Sequence, residues 1–260
     1  GTGITKVGPS SSEVHAVLVQ PDGNVLLVGQ AVDDVSNHWD FAAARYDADG
    51  NLDTNFSAGQ PSDLSTGKIT TPIGTGDAQA NAAALQGNGM LVAAGIAFSG
   101  TDQEFALARY DTVGSLDQSF GTGGIVTTNV RSGADDGINA VAVQPDGRIV
   151  AAGYVSNGTD LDIAVVRYTG GGKLDTTFNP GGATPGIVTT DFSGANDVAY
   201  AMTLQPDGKI VVAGRTGLSF AVVRYNNDGS LDTSFGGGKV TTPVSGRSEA
   251  RRVGKKCKSR

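Results

Sequence analysis

The residues of this chain best placed to do chemistry are acids beside glycines. The stretch Asp47-Ala48-Asp49-Gly50-Asn51-Leu52-Asp53 resembles a D-x-D-G calcium loop, because hard cations take clustered oxygens around a tight turn. Asp47, Asp49 and Asp53 would be its ligands, and calcium is the one cofactor the sequence suggests. Asn226-Asn227-Asp228-Gly229 with Asp232 offers a comparable set, whereas Asp111-Thr112-Val113-Gly114 and Thr169-Gly170-Gly171-Gly172 offer too few oxygens. Asp and Asn before glycine are also ordinary turn residues, so both readings stay open. A second constellation pairs an arginine with an aspartate eight residues on: Arg45 with Asp53, Arg109 with Asp117, Arg167 with Asp175 and Arg224 with Asp232. The guanidinium fork bonds a carboxylate through two donors. A pair present four times reads as a structural lock rather than an active site.

Two further features could meet a ligand. His38-Trp39 is unusual for this chain, which has two histidines and one tryptophan. An exposed indole stacks on a sugar or a peptide, or it packs between loops. Glu13, Asp77, Asp136 and Asp197 each precede a recurring glutamine by seven to nine residues. If they share one rim they could hold a cation or a polyol, with solvated turn carboxylates as the plainer reading. His15 lies in an apolar stretch and is expected to be a core residue making a hydrogen bond. No G-x-S-x-G elbow, H-E-x-x-H pair or phosphate-binding loop is present, and the lone Cys257 builds neither a disulfide nor a thiolate metal cage. The expectation is therefore no enzyme. Glycoside cleavage by two carboxylates is kept as the alternative, a hydrolase or lyase.

The elements that position these residues recur four times. Q-P-D-G or its variant Q-G-N-G starts at Gln20, Gln86, Gln144 and Gln205, at spacings of 66, 58 and 61 residues. Arg-Tyr follows at Arg45, Arg109, Arg167 and Arg224, then G-x-L-D-x-x-F ending at Phe56, Phe120, Phe178 and Phe235, then a Thr-Thr strand. Each unit reads as four short strands, a to d. Strand a is apolar on both faces, as for a strand buried on both sides, with a recurring small residue at Ala16, Ala82, Ala140 and Ala201. Strand b is β-branched and ends in glycine, strand c alternates, and strand d is rich in threonine and valine. No segment shows a helical period. A unit of about 60 residues cannot cover both faces of its own sheet, and radial repetition supplies the neighbours. The fold class is all-β, a β-propeller of four antiparallel four-stranded blades. A β-solenoid is the runner-up, but its coils are usually shorter and lack internal hairpins.

In an up-and-down blade the a–b and c–d turns share one end, and the b–c and d–a loops share the other. The recurring motifs fall on the first end. The second varies, with residues 31–40, 96–104, 154–162 and 215–219 all different. Function sits on loops carried by a rigid scaffold, so this end is the candidate binding face, and the four acids would ring the channel mouth there.

Composition sets the outer limits. The 260 residues include 39 glycines and carry a formal charge of −7. Residues 247–260 hold seven basic side chains against one acid, so the rest of the chain is more acidic still. Such a body repels nucleic acid and anionic membranes, and no apolar run nears the length of about 20 needed to span a bilayer. The terminal run resembles translated adapter sequence; it is read as a basic unstructured tail and given no function.

The pattern Q-P-D-G-K-I-V-V-A-G from Gln205, with F-A-V-V-R-Y, G-S-L-D-T-S-F-G and G-K-V-T-T after it, resembles the delta-60 repeat. The likeness covers about residues 1–243. The second unit departs most, with Gly87-Asn88 in place of Pro-Asp, and the first has an insertion between Phe56 and Ile69. The resemblance implies a bacterial β-propeller repeat of unassigned function from large secreted or surface proteins. Residues 1–7 then read as the last strand of a preceding repeat. The propeller region runs over 8–246, in units of about 8–71, 72–128, 129–190 and 191–246. The chain is expected to be a fragment of a longer array, extracellular or at the cell surface, partnered by other repeats of that array. Its expected role is to bind or display a glycan or protein ligand, with a calcium-stabilised spacer as a third reading.

Overall fold

The computed structural model describes residues 7–8, 10–33, 37–57 and 67–243. Its strands form four separate four-stranded sheets, each antiparallel and ordered as in the chain. The first holds β1 (Ser12–Val19), β2 (Val25–Val32), β3 (Trp39–Tyr46) and β4 (Lys68–Thr71). The second holds β5 (Ala78–Leu85), β6 (Leu91–Phe98), β7 (Gln103–Tyr110) and β8 (Ile125–Thr128). The third holds β9 (Asp136–Val143), β10 (Ile149–Ser156), β11 (Leu161–Tyr168) and β12 (Ile187–Thr190). The fourth holds β13 (Asp197–Leu204), β14 (Ile210–Thr216), β15 (Ser219–Tyr225) and β16 (Lys239–Pro243). Strand d therefore ends at Thr71, Thr128 and Thr190. The surplus strand expected over 1–7 (apart from Val7 and Gly8 beside it) and the basic tail over 247–260 lie outside the described residues.

The alternation of β10 and β11 shows how the blades stack. Ile149, Ala151, Ala164 and Val166 join residues of the second sheet in one hydrophobic cluster. Val150, Ala152, Ile163 and Val165 join residues of the fourth in another. Both faces are thus dry although each strand alternates, because each face meets a different sheet. A third cluster joins the first sheet to the second. Strands β1, β5, β9 and β13 contact one another in sequence, so strand a is innermost. These are the blades of a β-propeller. Among the described residues no cluster joins the first sheet to the fourth, and the ring is open.

Burial on both sides, expected for strand a, belongs instead to strands b and c. Val17 and Val19 in β1 and Tyr200 in β13 are exposed, because the inner strand borders the axis and the end blades have one neighbour each.

Every strand a carries a β-bulge at the same place, at His15, Asn81, Asn139 and Tyr200, just before the recurring alanine. The bulge explains the glycine of strand b. A Cβ on Gly29, Gly95, Gly153 or Gly214 would stand 1.8–2.0 Å from a carbonyl oxygen of strand a, so no side chain fits. The a–b hairpins close on Gly23, Gly89, Gly147 and Gly208, all with φ between 84° and 88°, each donating its N–H to the glutamine carbonyl at 2.9 Å. Gly87-Asn88 makes the same turn, so that departure is local.

Gly95→Ala is expected to destabilise the protein by about 1–3 kcal/mol in urea unfolding, through overpacking against the Gln79 carbonyl. Gly87→Ala, with nothing within 4 Å of its new methyl, should change stability by less than about 0.5 kcal/mol.

Candidate functional site

The turn end is built from the recurring motifs. All four arginines meet their aspartates: Arg45 and Asp53 at 2.7 Å, Arg109 and Asp117 at 2.7 Å, Arg167 and Asp175 at 2.8 Å, and Arg224 and Asp232 at 2.7 Å. Each guanidinium also lies over the phenylalanine ending its own motif, 4.5–4.8 Å from the ring centre, which adds a cation–π attraction. The pairs do more than lock their own turn. Arg45, Arg109 and Arg167 each reach out with Nη1 to donate to a main-chain carbonyl of the next blade, at Thr112, Gly170 and Asn227.

Other links cross the same seams. The hydroxyl of Tyr110 donates to Thr71 at 2.7 Å and that of Tyr168 to Thr128 at 2.9 Å, while Tyr225 and Thr190 are 2.7 Å apart. The Thr-Thr strand of one blade and the tyrosine of the next blade's Arg-Tyr pair are two halves of one contact. Nearer the axis the bulge side chains bond the next blade's carbonyls: His15 to Ala80 at 2.9 Å, Asn81 to Ile138 at 2.9 Å and Asn139 to Ala199 at 2.8 Å. His15 makes its hydrogen bond, but on an exposed inner strand rather than in a core. These seam residues escaped the sequence reading. The signal was a polar residue before the recurring alanine of an otherwise apolar strand.

At the loop end the four acids do not form a ring. Asp136 and Asp197 share one strand position, which Ser12 and Ala78 fill in the first two blades. Glu13 lies one residue after it and Asp77 one residue before it. A shift of one residue turns a strand side chain to the other face, so distance from the glutamine does not give a common rim. Asp136 and Asp197 are also completely buried. Asp136 accepts the N–H of Phe105 at 2.5 Å and of Val130 at 2.8 Å. Burial pushes its carboxyl up to about 7 against those two donors, and Glu104 and Asp102 add to the rise. Glu13 accepts from Gln30 at 2.9 Å, with His15 3.6 Å away.

Asp77 is brought to His38 and Trp39. It accepts the Trp39 N–H at 2.9 Å and lies 3.5 Å from His38 Nδ1, across the seam between the first two blades. Asp135 and Asn196 make the same contact with the N–H groups of Gln103 and Leu161. Asp40 is buried beside this group. Burial first, then the charge of Asp33, raises its carboxyl to about 6, with His38 opposing.

The expected calcium loop is not brought together. Asp47 accepts the N–H groups of Asp49 and Asn51 and the Asn51 side chain, while Asp53 is taken by Arg45 and by the N–H of Asn55. These oxygens belong to a turn and an ion pair. Among the described residues the one group of carboxylates close enough to share an ion is Asp162, Asp191 and Asp197. It was not legible beforehand, because β11, the loop after β12 and β13 contribute one acid each.

Comparison with known proteins places these features in a family. The family described as "Domain of unknown function (DUF5122) beta-propeller" matches residues 20–56, 86–120, 144–178 and 205–235, over half of the chain. No curated protein matches significantly. Similar solved structures include Drosophila Plexin A in complex with Semaphorin 1b (14% identity, 83% of this chain and 40% of that one, TM-score 0.40). They also include Sqt1 of Chaetomium thermophilum (17%, 88% and 49%, TM-score 0.41). A catalytically inactive virginiamycin B lyase from Staphylococcus aureus with quinupristin is a third (12%, 92% and 73%, TM-score 0.37). The chain spans 40–49% of the length of the first two, and at such values the likenesses carry no argument about function.

Arg109→Ala removes a buried cation and leaves the partly buried Asp117 unpaired, and a loss of about 3 kcal/mol, the low end for a buried pair, is expected in urea unfolding. Arg224→Ala should cost less, because Arg224 is more exposed and among the described residues bonds no following blade. The carboxyls also set opposing pH dependences. Burial would raise Asp53 and Asp175, but N–H and hydroxyl donors at Asn55 and Thr177, with the arginines, hold them below the usual range. Asp117 and Asp232 are held low by the Ser119 and Ser234 hydroxyls first and then by other partners that include Arg109 and Arg224. Stability from these four is present above the usual carboxylate range and is lost as acid titrates them in the folded state. Asp40 and Asp136 act the other way, favouring the fold when protonated, so stability falls as pH rises from 3.8 through about 6 and about 7. Melting temperature should be higher near about pH 5 than near about pH 8, and Asp136→Asn should flatten that slope in thermal melts.

Proposed function

The chain belongs to the DUF5122 β-propeller family, and on that premise we propose that it is a non-enzymatic module that binds or displays a glycan or protein ligand through its b–c and d–a loops. The observation that carries this reading is the difference between the two ends. At the turn end the arginine and aspartate of each repeated motif, with the N–H groups of its turns, are spent on clasps within and between blades. At the other end the b–c loops of the second and third blades are near copies, Ser99-Gly100-Thr101-Asp102 and Asn157-Gly158-Thr159-Asp160, while those of the first and fourth differ from them in length. The b–c loops span residues 33–38, 99–102, 157–160 and 217–218, and the d–a loops span 72–77, 129–135 and 191–196. A scaffold that repeats its joints and varies its loops is the arrangement expected of a binding surface. Residues 34–36 of the first loop lie outside the described residues, but His38, Trp39 and Asp77 at its edge form the most distinctive group there.

Clefts of about 410, 490 and 420 Å3 lie beside Thr184 and Leu231, where Val130 and Arg131 of a d–a loop line one side, between Asn88 and Pro145, and beside Arg148 and Asn227, and none of the three is lined by a b–c loop. A ligand at the loops would therefore meet an open surface, which suits a protein or an extended glycan better than a small substrate. The hydrolase or lyase alternative has less support. The two carboxyls raised far enough to act as acids near neutral pH, Asp40 and Asp136, are buried, and both oxygens of Asp136 are held by main-chain donors.

Among the described residues no helix is long and apolar enough to cross a membrane. A place outside the cell, with further blades of the same protein against the exposed Val17, Val19 and Phe220, completes the proposal.

Screening the whole chain on glycan and peptide arrays should return a saturable ligand whose binding Trp39→Ala or His38→Ala weakens at least tenfold, with unchanged melting temperature. Binding that ignores these changes and every loop substitution, but falls with changes at the turn end, would overturn the assignment of the face.

A further inference from the structure

The seams between blades are built alike, and one breaks the pattern in a way that points to a missing charge. At the second seam Asp136 uses both oxygens, accepting from Phe105 in β7 and from Val130 in the d–a loop. Beside it the amide of Asn129 donates to Asp102 at 3.2 Å and lies 3.5 Å from Glu104. Donors are thus supplied to the carboxylates there by the chain itself. At the third seam the corresponding residues are Asp197 for Asp136, Phe192 for Val130, Asp191 for Asn129 and Asp162 for Glu104. The amide has become a third acid. Asp197 still accepts the Phe192 N–H at 2.5 Å, but its Oδ1 is buried without a partner although the residue is completely inaccessible. A buried carboxylate oxygen with no donor costs free energy that native structures rarely leave uncompensated.

We infer that Asp162, Asp191 and Asp197 form a calcium site between the third and fourth blades. The oxygens these residues offer all lie within 4.8 Å of one another. That is the span expected across one ion with calcium–oxygen distances of about 2.3–2.6 Å. Each carboxylate has one oxygen fixed and a second for the ion. Asp191 Oδ1 accepts the N–H groups of Ser193 and Gly194 at 2.7 and 2.9 Å, Asp162 Oδ1 accepts from Asn157 at 3.1 Å, and Asp197 Oδ2 is held by Phe192. Asp160 shares Asn157 with Asp162 and adds negative charge at the rim, and water completes the coordination. The chain's own cations nearby do not fill the role. Arg131 stands 3.8 Å from Asp162 on a half-exposed side chain. Lys239 donates to the main-chain carbonyl of Asp191 at 2.8 Å and lies over the Phe192 ring. The site is independent of any ligand at the loops.

The test is calorimetric titration of calcium chloride into the whole chain after EDTA treatment, paired with thermal melts. One saturable site that raises the melting temperature is expected. Asp191→Asn changes an exposed residue and should keep the fold by circular dichroism while weakening calcium at least tenfold. The double variant Asp47→Asn, Asp49→Asn should bind as the parent does. Absence of saturable heat, parental affinity in Asp191→Asn, or loss of binding in the Asp47, Asp49 double variant would each overturn the assignment.

Discussion

The arginine in each of the first three blades is completed by a neighbouring blade. The guanidinium has donors to spare after its carboxylate is bonded, and the acceptor that takes one of them is a carbonyl of the following blade. A buried cation left short of acceptors is costly, so the neighbour is required by the same group that holds the c–d turn in shape. Tyrosine and threonine hydroxyls meet across the same seam, and the bulge residues bond across it nearer the axis. Hydrophobic burial draws the sheets together, while these directional bonds fix how one sheet sits on the next.

A second constraint works within the blade. The bulge in strand a points a polar side chain toward the adjoining blade, and it can exist only where strand b has no side chain opposite it. Glycine in strand b is therefore part of the seam although it has no side chain to bond across it. The joints lie at the turn end and along the axis, and the b–c connections away from them run from two to six residues.

Much of this was readable in the residues. Turns, the four-strand unit and the arginine–aspartate pairs depend on short local patterns, and they stand where the repeat places them. What could not be read depended on register or on distant parts of the chain. Glu13, Asp77, Asp136 and Asp197 looked alike by their distance from glutamine, yet one residue of offset separates a buried cap from a side chain on the rim. Asp47, Asp49 and Asp53 have calcium-loop spacing, but the oxygens of Asp47 and Asp53 are consumed by amides and an arginine that spacing alone does not reveal. Asp162 and Asp191 had no motif to mark them.

The seams also have a direction. Arginine and bulge side chains of the first three blades reach forward to the next blade, and the tyrosine hydroxyls of the last three reach back. Two successive blades therefore present complementary halves of one interface, like the two ends of a building block. Copying one unit's worth of sequence anywhere inside the array creates a new junction of the existing kind and leaves no joint to be reinvented. A protein made this way can change its number of blades by duplication in a single genetic step.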